Sequence, residues 1–148
     1  MSKRSILISS CLVGVNCRYD GGHCYSEHVA KLQQSIKLVP ICPEVMGGLE
    51  TPRSPQEIQS DGRIITRDGI DVTAQFKLGA RLSLETAKEH GCDVAIFKSK
   101  SPSCGRGEIY DGTFSGKLIP GNGVTTNLLL QNGIRVYTEN ELDQIQFE

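Results

Sequence analysis

Four short apolar runs, Ile6–Ile8, Ile36–Ile41, Val94–Phe97 and the one opened by Ile134 in "IRVYTE", are kept apart by segments of helical character. Parallel strands need a crossover long enough to hold a helix, so this alternation predicts a parallel sheet with helices on both faces. The expected fold class is α/β: a single-domain, doubly wound, Rossmann-like and mainly parallel sheet with hairpin insertions, spanning residues 1–148. A chain of this length buries its own core without covalent staples.

The segments between the runs supply the rest. "SEHVAKLQQS" places Val29 and Leu32 at helical spacing behind Ser26 as N-cap. A longer helix is expected from Thr73 to His90, with Phe76, Ala80 and Ala87 on one face and Gly91 ending it. "VTTNLLLQNG" reads as a helix ended by Gly133, and a short terminal helix opens at Glu139. Gly47 to Gly62 reads as turn and loop, whereas "RIITRDGIDVT" reads as a hairpin around Asp68-Gly69. "GEIYDGTFSGKLIPGNG" reads as a second hairpin around Asp111-Gly112 with a glycine-rich loop after it. Pro40 shortens the hydrogen-bonded part of the second strand.

The amino terminus sets Lys3 and Arg4 before an apolar patch, as a secretion signal would, but Ile6–Ile8 is too short for its apolar core. A cytoplasmic protein is therefore expected. Its six cysteines then call for metal, cluster or thiol chemistry, because a reducing compartment disfavours disulfides. Cys11 follows the first strand, Cys42 the second and Cys104 the third. In doubly wound sheets ligands bind beyond the carboxyl ends of the strands, so these three would meet at one edge. Their spacing is too wide for a zinc finger or a ferredoxin run, which suits a site assembled by the folded sheet. Cys92 enters a strand at the opposite end and reads as a structural thiol; Cys17 and Cys24, around "RYDGGH", either ligate or pack.

Basic residues gather beside the cysteine loops. Arg18, Arg53, Lys98, Lys100 and Arg106 would make that edge positive in a protein of net charge −1, and "GNGVTTN" offers backbone donors at a helix start. A nucleotide phosphate fits such an edge. The near-neutral charge and 5% aromatic content count against a module that binds thiolated RNA, which would use stacking platforms and basic surfaces. No membrane partner is expected. His23 and His28 are not at metal-ligand spacing with any pair of cysteines, and His90 sits where a helix C-terminus favours a cation.

Four blocks, "SSCLVGVNCRYDGG", "CPEVMGGLETPRSPQEI", "KSKSPSCG" and "GEIYDGTFSGKLIPGNGVTTNLL", resemble the thiouracil desulfidases, the TudS family, through nearly the whole chain. The resemblance implies a 4Fe-4S cluster held by Cys11, Cys42 and Cys104, with one iron left without a protein thiolate. It implies that the sulfur of a thiolated uracil, free base or nucleotide, is replaced by oxygen from water and released as hydrogen sulfide. Family members can carry valine at the place of Cys17 and lysine at the place of Cys24, so the resemblance implies that those two are poor ligand candidates. Glu44, two residues after Cys42, matches a catalytic glutamate of the family and is the expected general base. Ser101 and Ser103 stand within three residues of Cys104, so their hydroxyls can face the same ligand, with Ser101 the expected proton carrier or orienting donor. An alternative keeps the three thiolates around zinc, as in a nucleobase hydrolase or deaminase, although the usual His-x-Glu and Pro-Cys-x-x-Cys strings are absent.

Overall fold

Alternation along the apolar runs decides how the sheet is covered. The structure, a computed structural model, describes residues 5–15, 19–22, 27–32, 34 and 36–142. Strand β1 (Ser5–Ser9) lies parallel to β2 (Lys37–Ile41) on one side and to β5 (Val94–Phe97) on the other, and β5 is parallel to β8 (Arg135–Thr138). The order is β2-β1-β5-β8. Leu7, Ala95, Phe97 and Val136 point to one face and Ile6, Ile8, Val94 and Ile96 to the other, as the period-two geometry of strands requires. Buried side chains of that size contribute about 1.5–3 kcal/mol each, so both faces need a cover.

The helices provide it. On the first face lie α3 (Thr73–Glu89) and α4 (Val124–Gln131), through Leu84, Ala87, Leu129 and Leu130. On the second lie α1 (Glu27–Leu32), through Val29 and Leu32, and the 3-10 turn Ser10–Val13. The doubly wound α/β expectation therefore holds. Pro40 sits within β2 in register with Ile8, which an edge strand tolerates because one side of its backbone has no ladder to complete.

Two antiparallel hairpins are inserted into the crossovers, β3 (Gln56–Ile58) with β4 (Ile64–Thr66), and β6 (Glu108–Tyr110) with β7 (Leu118–Pro120). The second matches expectation. The first corrects two readings: the segment 47–62 is not all loop, and β4 takes β3 as its partner rather than the residues after Asp68-Gly69. That turn does form, with Gly69 at φ +87 and hydrogen bonds from Thr66 N to Ile70 O and from Val72 N to Ile64 O. Its second arm shrinks to a single bridge, Ile65 with Asp71, because α3 starts at Thr73.

A one-turn helix, α2 (Pro43–Met46), starts at an extended Cys42 with Pro43 in the first helical position, where its missing N–H is no loss. Its contact with α3 is made backbone to backbone. A Cβ on Gly47 would lie 1.9 Å from Gln75 O, and one on Gly79 1.9 Å from Pro43 O. Among the described residues no helix is long and apolar enough to cross a membrane. The terminal helix expected from Glu139 lies largely outside the described residues, as do Ser26 and its capping role.

Candidate active site

The winding of the chain reverses between β1 and β5: β2 extends the sheet to one side, β5 and β8 to the other. Beyond the carboxyl ends at that switch point, Ser9 Oγ accepts the Lys98 N–H at 2.9 Å and joins the two strands. A cavity of about 460 Å³ opens there, and Cys11, Cys42 and Cys104 all line it. Cys11 belongs to the 3-10 turn after β1, which Gly14 ends with φ +95; Cys42 directly follows β2.

Cys104 is held more elaborately. Ser101 Oγ accepts the N–H groups of Ser103 at 3.1 Å and Cys104 at 3.0 Å, and Ser101 O accepts that of Gly105 at 2.8 Å. The loop rests on the start of α4, where Val124 N donates to Pro102 O and Thr125 N to Ser103 O, while Thr126 Oγ1 donates to Cys104 O. Of the backbone donors of "GNGVTTN" expected to meet a phosphate, those of Gly123, Val124, Thr125 and Thr126 are thus occupied by this loop. Gly123 permits the approach, since a Cβ there would lie 2.4 Å from Ser103 O.

Burial pushes the Cys104 thiol up to about 12, against the opposing hydrogen bonds of Ser9 and Ser103 and with the charges of Cys42 and Glu44 adding to the rise. Cys92 is also buried and its thiol raised by that burial, but it packs under α3 and α4 with Ala87 and Ile134, as a structural cysteine does. Among the described residues no three His, Cys, Asp or Glu side chains converge tightly enough to hold a single metal ion.

Glu44, in the first turn of α2, enters the same cavity and is almost buried. Arg53 Nε and Nη2 both donate to its Oε1, at 3.0 and 2.9 Å, with side chains only 8% and 11% exposed for arginine and glutamate. Ser103 Oγ donates to Oε2 at 2.9 Å and lies 3.0 Å from Ser101 Oγ. With Ser101 Oγ already accepting two backbone N–H groups, its proton points to Ser103. The result is a directed chain, Ser101 to Ser103 to Glu44.

The expected basic edge is dispersed. Arg53, besides holding Glu44, donates through Nη1 to Glu50 O and Thr51 Oγ1, each at 3.0 Å. Lys98 Nζ pairs with Glu139 Oε2 at 3.0 Å. Lys100 is exposed and lines the cavity, whereas Arg106 is exposed without lining it. Arg18, Cys17, Cys24, His23 and the His28 side chain lie outside the described residues. Sequence reasoning missed Glu57, Arg67, Tyr110 and Phe114, which line the cavity from the two hairpins. Tyr110 and Phe114 stand in a block read as a hairpin with a glycine-rich loop, and Glu57 in one read as turn and loop; no periodicity marks a functional residue in such segments.

A family model described as 2-thiouracil desulfurase matches residues 6–141. The chain is 49% identical over 149 aligned positions to the uncharacterized protein YbbK of Bacillus subtilis (strain 168), an alignment covering 95% of this chain and 99% of that one. Among solved structures it is similar to a 4Fe-4S-dependent thiouracil desulfidase, TudS, with a TM-score of 0.90, 42% identity and coverage of 96% of this chain and 95% of the other. With three thiols and a paired carboxylate around one cavity at the switch point of a matching fold, the chain belongs to the 2-thiouracil desulfurase family.

Proposed function

We propose that this protein is a desulfidase of thiolated uracil that replaces C=S by C=O with water and releases hydrogen sulfide. The observation that carries the reading is the convergence of Cys11, Cys42 and Cys104 from three strand ends on the cavity that Glu44 and Ser103 also enter. A 4Fe-4S cluster fits this donor set. Its ligands are soft thiols, and the most deeply buried of them releases its proton readily only to a metal. Cys11, Cys42 and Cys104 would hold it, and when bound it would supply a Lewis-acidic iron that draws electrons from a thiocarbonyl.

The chain's own residues handle protons. Arg53 fixes one oxygen of Glu44 and leaves Oε2, shared with Ser103, to take a proton from the attacking water. Water brings one oxygen and two protons; the product keeps the oxygen, and sulfur leaves with both protons. No electrons are exchanged. Ser103, in contact with both Glu44 and the Cys104 sulfur, at 2.9 and 3.7 Å, is the relay toward the departing sulfide, with Ser101 orienting it. For a substrate with a phosphate, Lys100, exposed on the cavity wall, is the cation we assign to it. The cytoplasm suits thiols that must stay reduced.

The test is iron, acid-labile sulfide and zinc content with a visible spectrum, on protein purified without oxygen, followed by 2-thiouracil turnover read from sulfide release. Replacing Cys11, Cys42 or Cys104 by alanine should abolish the spectrum. Glu44→Gln should keep it and lower turnover by roughly 100-fold or more. Stoichiometric zinc without sulfide would overturn the cluster, and wild-type turnover by Glu44→Gln would overturn the base.

A further inference from the structure

Phe114, in the loop between β6 and β7, has φ +57, and Lys100, with φ +68, is the other non-glycine residue in this region among those described. Both line the cavity. Bulky side chains avoid left-handed backbone because Cβ crowds the carbonyl oxygen, so the surroundings must impose it.

At Phe114 the source is visible. Glu57 Oε1 accepts the N–H groups of Gly112 at 2.9 Å and Phe114 at 3.1 Å, and Gln59 Nε2 donates to Gly112 O at 3.1 Å. Gly112 approaches β3 so closely that a Cβ would lie 2.9 Å from Ile58 O. The Arg67 guanidinium stands 5.6 Å from the Phe114 ring centroid. The loop already has internal restraints, since Asp111 Oδ1 accepts from Thr113 N at 2.9 Å and from Thr113 Oγ1 at 2.6 Å. The bonds from β3 therefore add something the tip does not need for its own shape: they fix where Phe114 stands relative to the cavity. Glu57 is nearly buried, and a carboxylate is costly to dehydrate unless its bonds serve a defined geometry.

We propose that Glu57 is a positioning residue for Phe114, and that Phe114 is the wall on which the flat ring of a thiolated pyrimidine lies. The identity of the ligand rests on the desulfidase reading; the wall itself rests on the clasp between the hairpins. A planar heterocycle presents a π-face to an aromatic ring whatever its substituents. Affinity for the ring thus comes from the hairpins, while the sulfur end belongs to the strand ends.

The experiment compares iron-loaded wild type with Glu57→Ala, Glu57→Gln, Phe114→Leu, Phe114→Tyr and the double variant Glu57→Ala/Phe114→Leu. KM and kcat for 2-thiouracil, its Kd by calorimetry and the visible spectrum are measured for each. Glu57→Ala and Phe114→Leu should raise KM and Kd roughly tenfold or more, as loss of a stacked base does, with kcat and spectrum little changed. Glu57→Gln and Phe114→Tyr should restore affinity, and the double variant should be no weaker than Phe114→Leu alone, because both act through one ring. Unchanged Kd in Phe114→Leu, or additive losses in the double variant, would overturn the proposal; if Glu57→Ala does not fold, Phe114→Leu alone decides. Wild-type protein that binds 2-thiouracil without turning it over would overturn the desulfidase reading and leave the wall standing. Wild type that does not bind it would overturn both.

Discussion

Arg53 shows how one guanidinium changes meaning between sequence and structure. Beside a cysteine loop it reads as a phosphate anchor, yet its Nε and Nη2 close on Glu44 in a nearly dry setting. Removing one member of a buried ion pair strands the other, so Arg53→Ala should cost about 3–5 kcal/mol of stability, read as a lowered urea midpoint. Its turnover should fall equally for thiouracil and for a thiolated nucleotide, which kinetics on both substrates would check. Lys cannot reproduce a contact made by two nitrogens of one planar group, so Arg53→Lys should recover only part of either loss. The three cysteines were legible because each stands in the segment that leaves an apolar run, Cys42 directly after it and Cys11 and Cys104 in the loops beyond. Glu57 was not, because its partners, Gly112 and Phe114, lie 55 and 57 residues further along.

Elements were legible where the hydrophobic period is long enough to register. Helix α3 and the four sheet strands follow their apolar patterns, and α3 also shows its start: Asp71 Oδ1 accepts from Thr73 N at 2.9 Å and Thr73 Oγ1 at 2.6 Å. Those two bonds hold the Asp71 carboxyl below the usual carboxylate range, so the folded state binds fewer protons there than the unfolded chain. The stabilisation is present in full above the unfolded value and disappears as pH falls through the lowered folded one. Thermal midpoints of wild type should therefore exceed those of Asp71→Ala near neutral pH, and the gap should close below the ordinary aspartate range. Strand β3 was illegible because it is three residues long and begins with polar Gln56 and Glu57, whose burial comes from the cavity and the neighbouring hairpin rather than from a pattern of their own.

At the scale of the molecule, the alternation of apolar runs with helical segments determined the two-layer cover, and the cysteines marked the edge where the site would form. The order β2-β1-β5-β8 was not legible, because the strand each crossover returns to depends on packing across the whole sheet. One contact links that packing to the chemistry: α2, which carries Glu44 and begins at Cys42, lies against α3 through Gly47 and Gly79. Gly79→Ala would place a methyl 1.9 Å from Pro43 O, so α2 must move; iron content and thermal midpoint should both drop in that variant, measured on protein purified without oxygen. Two backbones already in contact leave no side chain whose size could be trimmed or enlarged by degrees. The placement of Cys42 and Glu44 is thus closed to gradual mutational drift at this crossing.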